Sequence, residues 1–313
     1  MEQETMDTPK KRTRLLESVI LFLKGIVVGV ANIIPGVSGG TIAVIVGVFD
    51  RLVEAVNTLF KKFKSNMLFL IPLGLGAAAG IVGLSRLIGF CLEEYPIQTN
   101  FFFVGLVAGS IPLIYKKAAH RNGNGEESPK SHFSPLYIIP FVLGAAAVIV
   151  LAIVQTYVIK DSGGEAAVSA MSAAAFFQYL FGGAIASIAM VVPGISGSLV
   201  MVLIGLYDKV LGVIAGLTQF SDKDLFIHSL LCAIPIGLGI LIGIFTVAKL
   251  IEFLMKRYHQ ATYFAIFGLM TGSLAALLIS MELYAVSFTV LMICISAVTA
   301  AVGFFTAYFL GRE

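Results

Sequence analysis

A nine-residue phrase occurs twice in this chain. Ile33-Ile34-Pro35-Gly36-Val37-Ser38-Gly39-Gly40-Thr41 returns as Val191-Val192-Pro193-Gly194-Ile195-Ser196-Gly197-Ser198-Leu199. Both copies interrupt apolar sequence where a helix would otherwise run on. Proline lacks a backbone N–H and glycine gives up the most backbone freedom, so each copy stops its helix. In lipid, broken backbone persists only where protein or a wet cavity surrounds it. Two such breaks at corresponding positions of two halves are the pattern of a transporter's binding site.

The surroundings are those of a membrane protein. The 313 residues are 58% hydrophobic and 12% charged, half the charge of an ordinary soluble domain, which has about 25%. A net charge of +3 is too small to argue for a nucleic-acid partner. Cys91, Cys232 and Cys294 lie far apart, without metal-ligand spacing, and read as apolar packing residues. His120, His132, His228 and His259 are not placed for a metal, and no Gly-x-x-x-x-Gly-Lys phosphate loop occurs, so no metal or cofactor is expected. Residues 1–14 form a polar, basic tail, and the apolar run after it has no small-residue cleavage site, as in a retained first membrane segment.

The repeat extends over the whole chain. At an offset of 158, Gly25, Ala31, Val44, Gly47 and Asp50 match Gly183, Ala189, Val202, Gly205 and Asp208. At an offset of 163, Pro72, Gly76, Gly80, Gly105 and Gly109 match Pro235, Gly239, Gly243, Gly268 and Gly272. Glycines at such spacings permit close helix contact. The halves are 15–159 and 173–310. The first holds a broken segment at about 18–60 and apolar runs at about 67–92, 99–115 and 136–159. The second holds a broken segment at about 173–214 and runs at about 228–255, 261–280 and 283–310. Each run is near the ~20 residues needed to span a bilayer.

Basic residues orient these segments through the positive-inside rule. Lys10, Lys11, Arg12 and Arg14 precede the first break, and Arg51, Lys61, Lys62 and Lys64 follow it, so the broken segment enters and returns on the cytoplasmic side. Glu93-Glu94 falls outside, and Lys116, Lys117, Arg121 and Lys130 inside. The second hairpin opens and closes outside, near Asp222 and Asp224, with Lys256-Arg257 and Arg312 inside. One re-entrant hairpin plus three crossings is an odd number of crossings per half. The expected fold is therefore an all-α integral membrane protein of two inverted-topology repeats, each a re-entrant helical hairpin plus three transmembrane helices, with both termini cytoplasmic.

Such hairpins bring two turns to the midplane from opposite faces. Ser38 is a good N-cap, with Gly39, Gly40 and Thr41 baring the first N–H groups; Ser196, Gly197 and Ser198 do the same in the second copy. Helix starts carry unsatisfied donors and positive partial charge, so a phosphate is a natural guest. The bland alternative is that Pro35-Gly36 and Pro193-Gly194 only make the turn that re-entry requires. Arg86 and Lys249, repeat partners inside apolar runs, are candidate counter-charges; the alternative for both is snorkelling to the interface. Asp50 and Asp208 are candidates for a coupling proton or sodium ion, against the alternative of pairing with the adjacent Arg51 and Lys209. Asn32 is Met190 in the second copy, so any polar role it has belongs to one half.

The stretch from Gly25 to Asp50, above all Ala31-Asn32-Ile33-Ile34-Pro35-Gly36-Val37-Ser38-Gly39-Gly40-Thr41, together with Pro193-Gly194-Ile195-Ser196-Gly197-Ser198, resembles the bacterial polyprenyl-phosphate transporter family. The resemblance covers nearly the whole chain apart from the basic tail. It implies flipping of undecaprenyl phosphate, the lipid carrier for peptidoglycan and other envelope polymers, across the cytoplasmic membrane. The partners it implies are that lipid and the surrounding bilayer. An integral undecaprenyl-pyrophosphate phosphatase is the nearest rival. Such enzymes carry a Pro-Gly-x-Ser-Arg-Ser turn, and this chain has Gly39 and Gly197 where the arginine would stand; Glu17 is alone where a pair of glutamates would be. The chain is therefore expected not to be an enzyme. A carrier for a small anion, using the same turns, is the other alternative.

Overall fold

The computed structural model describes residues 8–32, 38–119, 134–158, 172–217, 219–281 and 289–310. The described residues fold into helices and contain no strand. The first six helices are α1 (Thr8–Ala31), α2 (Gly39–Ile45), α3 (Phe49–Asn57), α4 (Phe63–Glu94), α5 (Pro96–Ala119) and α6 (Ile138–Ile153). The next six are α7 (Ala173–Val191), α8 (Gly197–Leu203), α9 (Tyr207–Gly216), α10 (Lys223–Arg257), α11 (His259–Ser280) and α12 (Val290–Leu310). A 3₁₀ turn leads into α6, which runs on as five residues of π-helix, Val154–Val158. Among the described residues, seven helices, namely α4 to α7 and α10 to α12, are long and apolar enough to cross a membrane. With 32 and 35 residues, α4 and α10 reach roughly 50 Å at 1.5 Å per residue, well beyond the ~30 Å of hydrocarbon.

The order of one long helix, two short ones and three long ones occurs twice, and the packing partners correspond. α1 lies along α4, as α7 lies along α10. The last two helices are exchanged: α5 packs on α12, and α6 on α11. Lipid tails are as apolar as leucine, so these pairs rest on close van der Waals contact rather than on escape from water. The repeated glycines supply it. A side chain at Gly25, Gly76 or Gly80 would run into the backbone of the facing helix at Leu73, Phe22 or Ile26. Gly183, Gly239 and Gly243 stand in the same way against Ile236, Leu180 and Ala184. Gly105 and Gly109 of α5 face the carbonyls of Ala300 and Phe304, as their counterparts Gly268 and Gly272 of α11 face those of Phe141 and Ala145.

The centre of the molecule is the short helix α2. Ile42, Ala43, Val44 and Ile45 are all 4% exposed or less. They join Phe49 and Val53 of α3, Phe103, Leu106 and Val107 of α5, Val247 and Ile251 of α10, and Ile266 and Met270 of α11 in one cluster. The passage from α2 to α3 is a Schellman turn. Val48 N–H donates to the Ala43 carbonyl at 2.9 Å and Gly47 N–H to that of Val44 at 3.2 Å, with Gly47 at φ +72°. The passage from α8 to α9 repeats it: Leu206 to Met201 at 2.9 Å, Gly205 to Val202 at 3.0 Å, and Gly205 at φ +67°. Only glycine takes such a φ without strain.

Candidate functional site where the two motifs meet

The start of α2 docks on the turn that ends α7. The Thr41 hydroxyl accepts a hydrogen bond from the Gly194 N–H at 2.7 Å, and Thr41 is 1% exposed. The Ser38 hydroxyl donates to the Val192 carbonyl at 3.4 Å. Gly40 lies against the same turn, where an added Cβ would stand 2.8 Å from the Val191 carbonyl. Gly194 has φ +86°, and a Cβ there would stand 2.7 Å from the Leu269 carbonyl of α11. Residues of both motifs thus share one buried contact, with Pro193, Gly194 and Gly197 buried and Ser196 half-buried.

The serines occupy the expected N-cap positions but do not cap. Ser38 and Ser196 have extended backbone, and neither side chain bonds the helix that follows. Ser38 serves the opposite half instead, because the Val192 carbonyl at the end of α7 needs a donor at that depth. Its proton points to a carbonyl oxygen, which cannot act as a base, so Ser38 is not placed as an activated nucleophile. Asn32 is exposed and its amide returns to its own helix, at 3.0 Å from the Val28 carbonyl. Gly39 leaves room for that amide, and Gly197 leaves room for Met190 at the corresponding place. Pro35 and Gly36, and the side chains of Arg86 and Ser198, lie outside the described residues.

Lys249 is exposed on α10, next to Ala248, whose carbonyl accepts from the Asn57 amide at 2.8 Å. That contact lies at the other end of α2–α3 from Thr41. Asp50 has a partner on another helix. It accepts a hydrogen bond at 2.9 Å from the hydroxyl of Tyr263 on α11, which is 2% exposed. Arg51 bonds Glu54 at 3.0 Å and the buried Asn66 at 3.1 Å, and lies over the Phe69 ring. Burial acts to raise the Glu54 carboxyl, but the Lys62 and Arg51 contacts outweigh it and hold the pKa below its ordinary value. In the second half Lys209 reaches Gln178 at 3.5 Å, within its own half. No group of three or more His, Cys, Asp or Glu able to hold a metal occurs among the described residues.

Tyr263 and Asn57 were not singled out by sequence. Neither belongs to a motif, and the repeat partner of Tyr263 is Asn100, so the register of the repeat gives no signal for it. The signal available for Asn57 is its amide side chain at the last residue of α3.

Seven candidate spans among the described residues, with Thr41 of the first motif and Gly194 of the second joined at a buried contact, mark a polytopic membrane protein of the kind that moves a substrate past interrupted helices. Residues 28–291 match the VCA0040-like family, described as undecaprenyl phosphate translocase-like, and the chain belongs to that family. It is similar to the polyprenyl-phosphate transporter of Staphylococcus aureus, with 29% identity over 94% of this chain and 96% of the relative. It is also similar to that of Vibrio cholerae, with 32% identity over 81% of this chain and 75% of the relative. No solved structure matches.

Proposed function

We propose that this protein moves undecaprenyl phosphate between the leaflets of the bacterial cytoplasmic membrane, returning the lipid carrier for envelope polymer synthesis. The names of the two relatives and of the family support the substrate. The observation that carries the site is the buried contact between Thr41 of the first motif and the Gly194 amide of the second. A phosphate oxygen is an acceptor of the same kind as the Thr41 hydroxyl and competes for the same donor. In this reading the phosphate passes between the turns Pro35-Gly36-Val37-Ser38-Gly39-Gly40-Thr41 and Pro193-Gly194-Ile195-Ser196-Gly197-Ser198, while the polyprenyl tail stays in lipid.

The matched helix order supports two repeats, 15–159 and 173–310, and the placement of the basic residues supports the reading that they are inverted. In this reading α1–α3 and α7–α9 are re-entrant hairpins and both termini face the cytoplasm. Arg86 and Lys249 are the proposed counter-charges, Asn32 lines one side of the path, and Asp50 and Asp208 are the proposed sites for a coupling proton or sodium ion. The protein works as a translocase and not as a hydrolase. Gly39 and Gly197 leave no arginine to clamp a transferring phosphoryl group, and Ser38 has its proton on a carbonyl.

The test uses purified protein in liposomes carrying undecaprenyl phosphate. Headgroup accessibility on the outer leaflet is followed with time, and phosphate release from the pyrophosphate form is assayed in parallel. Protein-dependent movement without phosphate release is the expected result. Phosphate release would make the protein an enzyme, and movement of inorganic phosphate alone would make it a small-anion carrier.

A further inference from the structure

The two halves repeat their kinks, their helix pairs and the glycines between those pairs, but α2–α3 of the first half also makes polar contacts with the other half, and one of these carries an ionisable group. Asp50 stands in the first turn of α3 and is half-buried. The Tyr263 hydroxyl of α11 reaches it across the boundary between the halves at 2.9 Å. His259, one turn earlier on α11, packs its ring on that of Tyr263, 4.8 Å between centroids. At the positions in α5 that correspond to His259, Gln260 and Tyr263 the chain has Pro96, Ile97 and Asn100. The Asn100 amide donates to the Pro96 carbonyl of its own helix at 2.8 Å. The position of α5 that matches Tyr263 therefore offers no phenol to Asp208, the partner of Asp50.

We propose that the Asp50 carboxylate and the Tyr263 hydroxyl form a proton-controlled tie that holds α3 against α11, and that protonation of Asp50 releases it. The consequence for lipid movement rests on the transport reading above; the tie itself does not. A hydrogen bond to an ionised carboxylate is about twice as strong as one between neutral groups, so adding a proton weakens the contact. Separating the helices takes the phenol from a half-buried carboxylate, which costs more while it is charged than once it is neutral. Release and proton uptake are thereby linked. Because only one half carries the tie, it favours one of two otherwise related arrangements.

The ionisable groups at the ends of the elements nearest α3 are the following, with Arg257 lying over the Tyr258 ring at the end of α10. α11 brings Tyr263 and His259. α10 brings the exposed Lys249 and the Glu252–Lys256 pair. At the start of α4, Lys62 is paired with Glu54, and Lys64 is exposed. On α3 itself Arg51 is turned to Glu54, Asn66 and Phe69. α2 carries no ionisable side chain.

The experiment places spin labels at Lys61→Cys, just past α3, and Ala261→Cys, on α11, in full-length protein whose three native cysteines are replaced. The label distance is measured from pH 8 to pH 3, a window that includes the ordinary aspartate range, together with leaflet exchange of undecaprenyl phosphate in liposomes without an ion gradient. In the otherwise wild-type protein the distance distribution is expected to shift to longer values on acidification and exchange to rise severalfold. Asp50→Asn and Tyr263→Phe are each expected to give the acid distribution at every pH. The lipid phosphate also titrates, near pH 6, but the distance readout needs no substrate. A distribution that ignores pH, or Asp50→Asn and Tyr263→Phe variants that follow the unmutated profile, overturns the tie. If Asp50→Asn does not fold, Tyr263→Phe decides alone. A pH-dependent distance abolished in the variants, with no lipid movement in any protein, upholds the tie and removes the transport reading.

Discussion

The first broken helix, α2–α3, and the second, α8–α9, share a seven-residue opening helix and a kink at Gly47 and Gly205, yet they live in different surroundings. Ile45 is 0% exposed, whereas its partner Leu203 is half-buried and Ile204 beyond it is 40% exposed. Ser38, Thr41, Asp50 and Asn57 on the first segment all bond residues of the other half. Lys209 on the second bonds within its own half. The local sequence therefore dictates the shape of each element, and the neighbours decide whether it is enclosed. One copy of the motif is shut inside the protein while the other stands at the periphery.

The largest test of this contrast is truncation at matched positions. Ile45→Ala is expected to cost about 2–5 kcal/mol, as for other fully buried aliphatic side chains. Leu203→Ala is expected to cost less than about 1.5 kcal/mol. Thermal unfolding in detergent measures both, and equal losses would break the contrast. Next comes Thr41→Val, which leaves the buried Gly194 amide without this acceptor at a cost of about 1–3 kcal/mol. A Thr41→Ser variant, which keeps the hydroxyl, should recover most of the stability, and failure to do so would place the effect in the lost methyl group.

The kinks sharpen the comparison from the other direction. Gly47→Ala and Gly205→Ala meet open space but a strained φ, so each should cost about 1–2 kcal/mol, and by the same amount. A large difference between them would mean that the surroundings reach into the turn itself. The smallest effect is expected at Glu54, where Glu54→Gln should change stability by at most about 1 kcal/mol, because its pairs with Arg51 and Lys62 are largely exposed. Its depressed pKa means the contribution is present above the ordinary carboxylate range and lost as pH falls through the folded-state value. A melting curve recorded at falling pH should therefore show the wild-type advantage over Glu54→Gln shrinking.

Much of the helix packing was legible in the sequence, because a glycine that must accept a facing backbone leaves the same mark in both halves. Gly25 with Gly183, and Gly105 with Gly268, are read from register alone and stand at matched contacts. The meeting of the two motifs was legible as a place but not as a set of bonds. Capping rules put the Ser38 hydroxyl on its own helix, and they do not include the carbonyl that α7 brings from the other half. The Asp50–Tyr263 contact was hidden for a related reason. Repeat matching finds what the halves have in common, and Tyr263 belongs to what distinguishes them.

The exchange of terminal helices bears on how the protein is made. α5 leaves the ribosome some 170 residues before α12, its main packing partner, and α6 likewise precedes α11. At a synthesis rate of about 5–20 residues per second, α5 waits on the order of ten to thirty seconds in the membrane. Throughout that interval Gly105 and Gly109 present a bare helical groove to lipid or to a neighbouring chain. Neither half can complete its own helix pairs, so assembly closes only when the last helix arrives, and a truncated chain ending before α12 leaves that groove open to pairing with another copy.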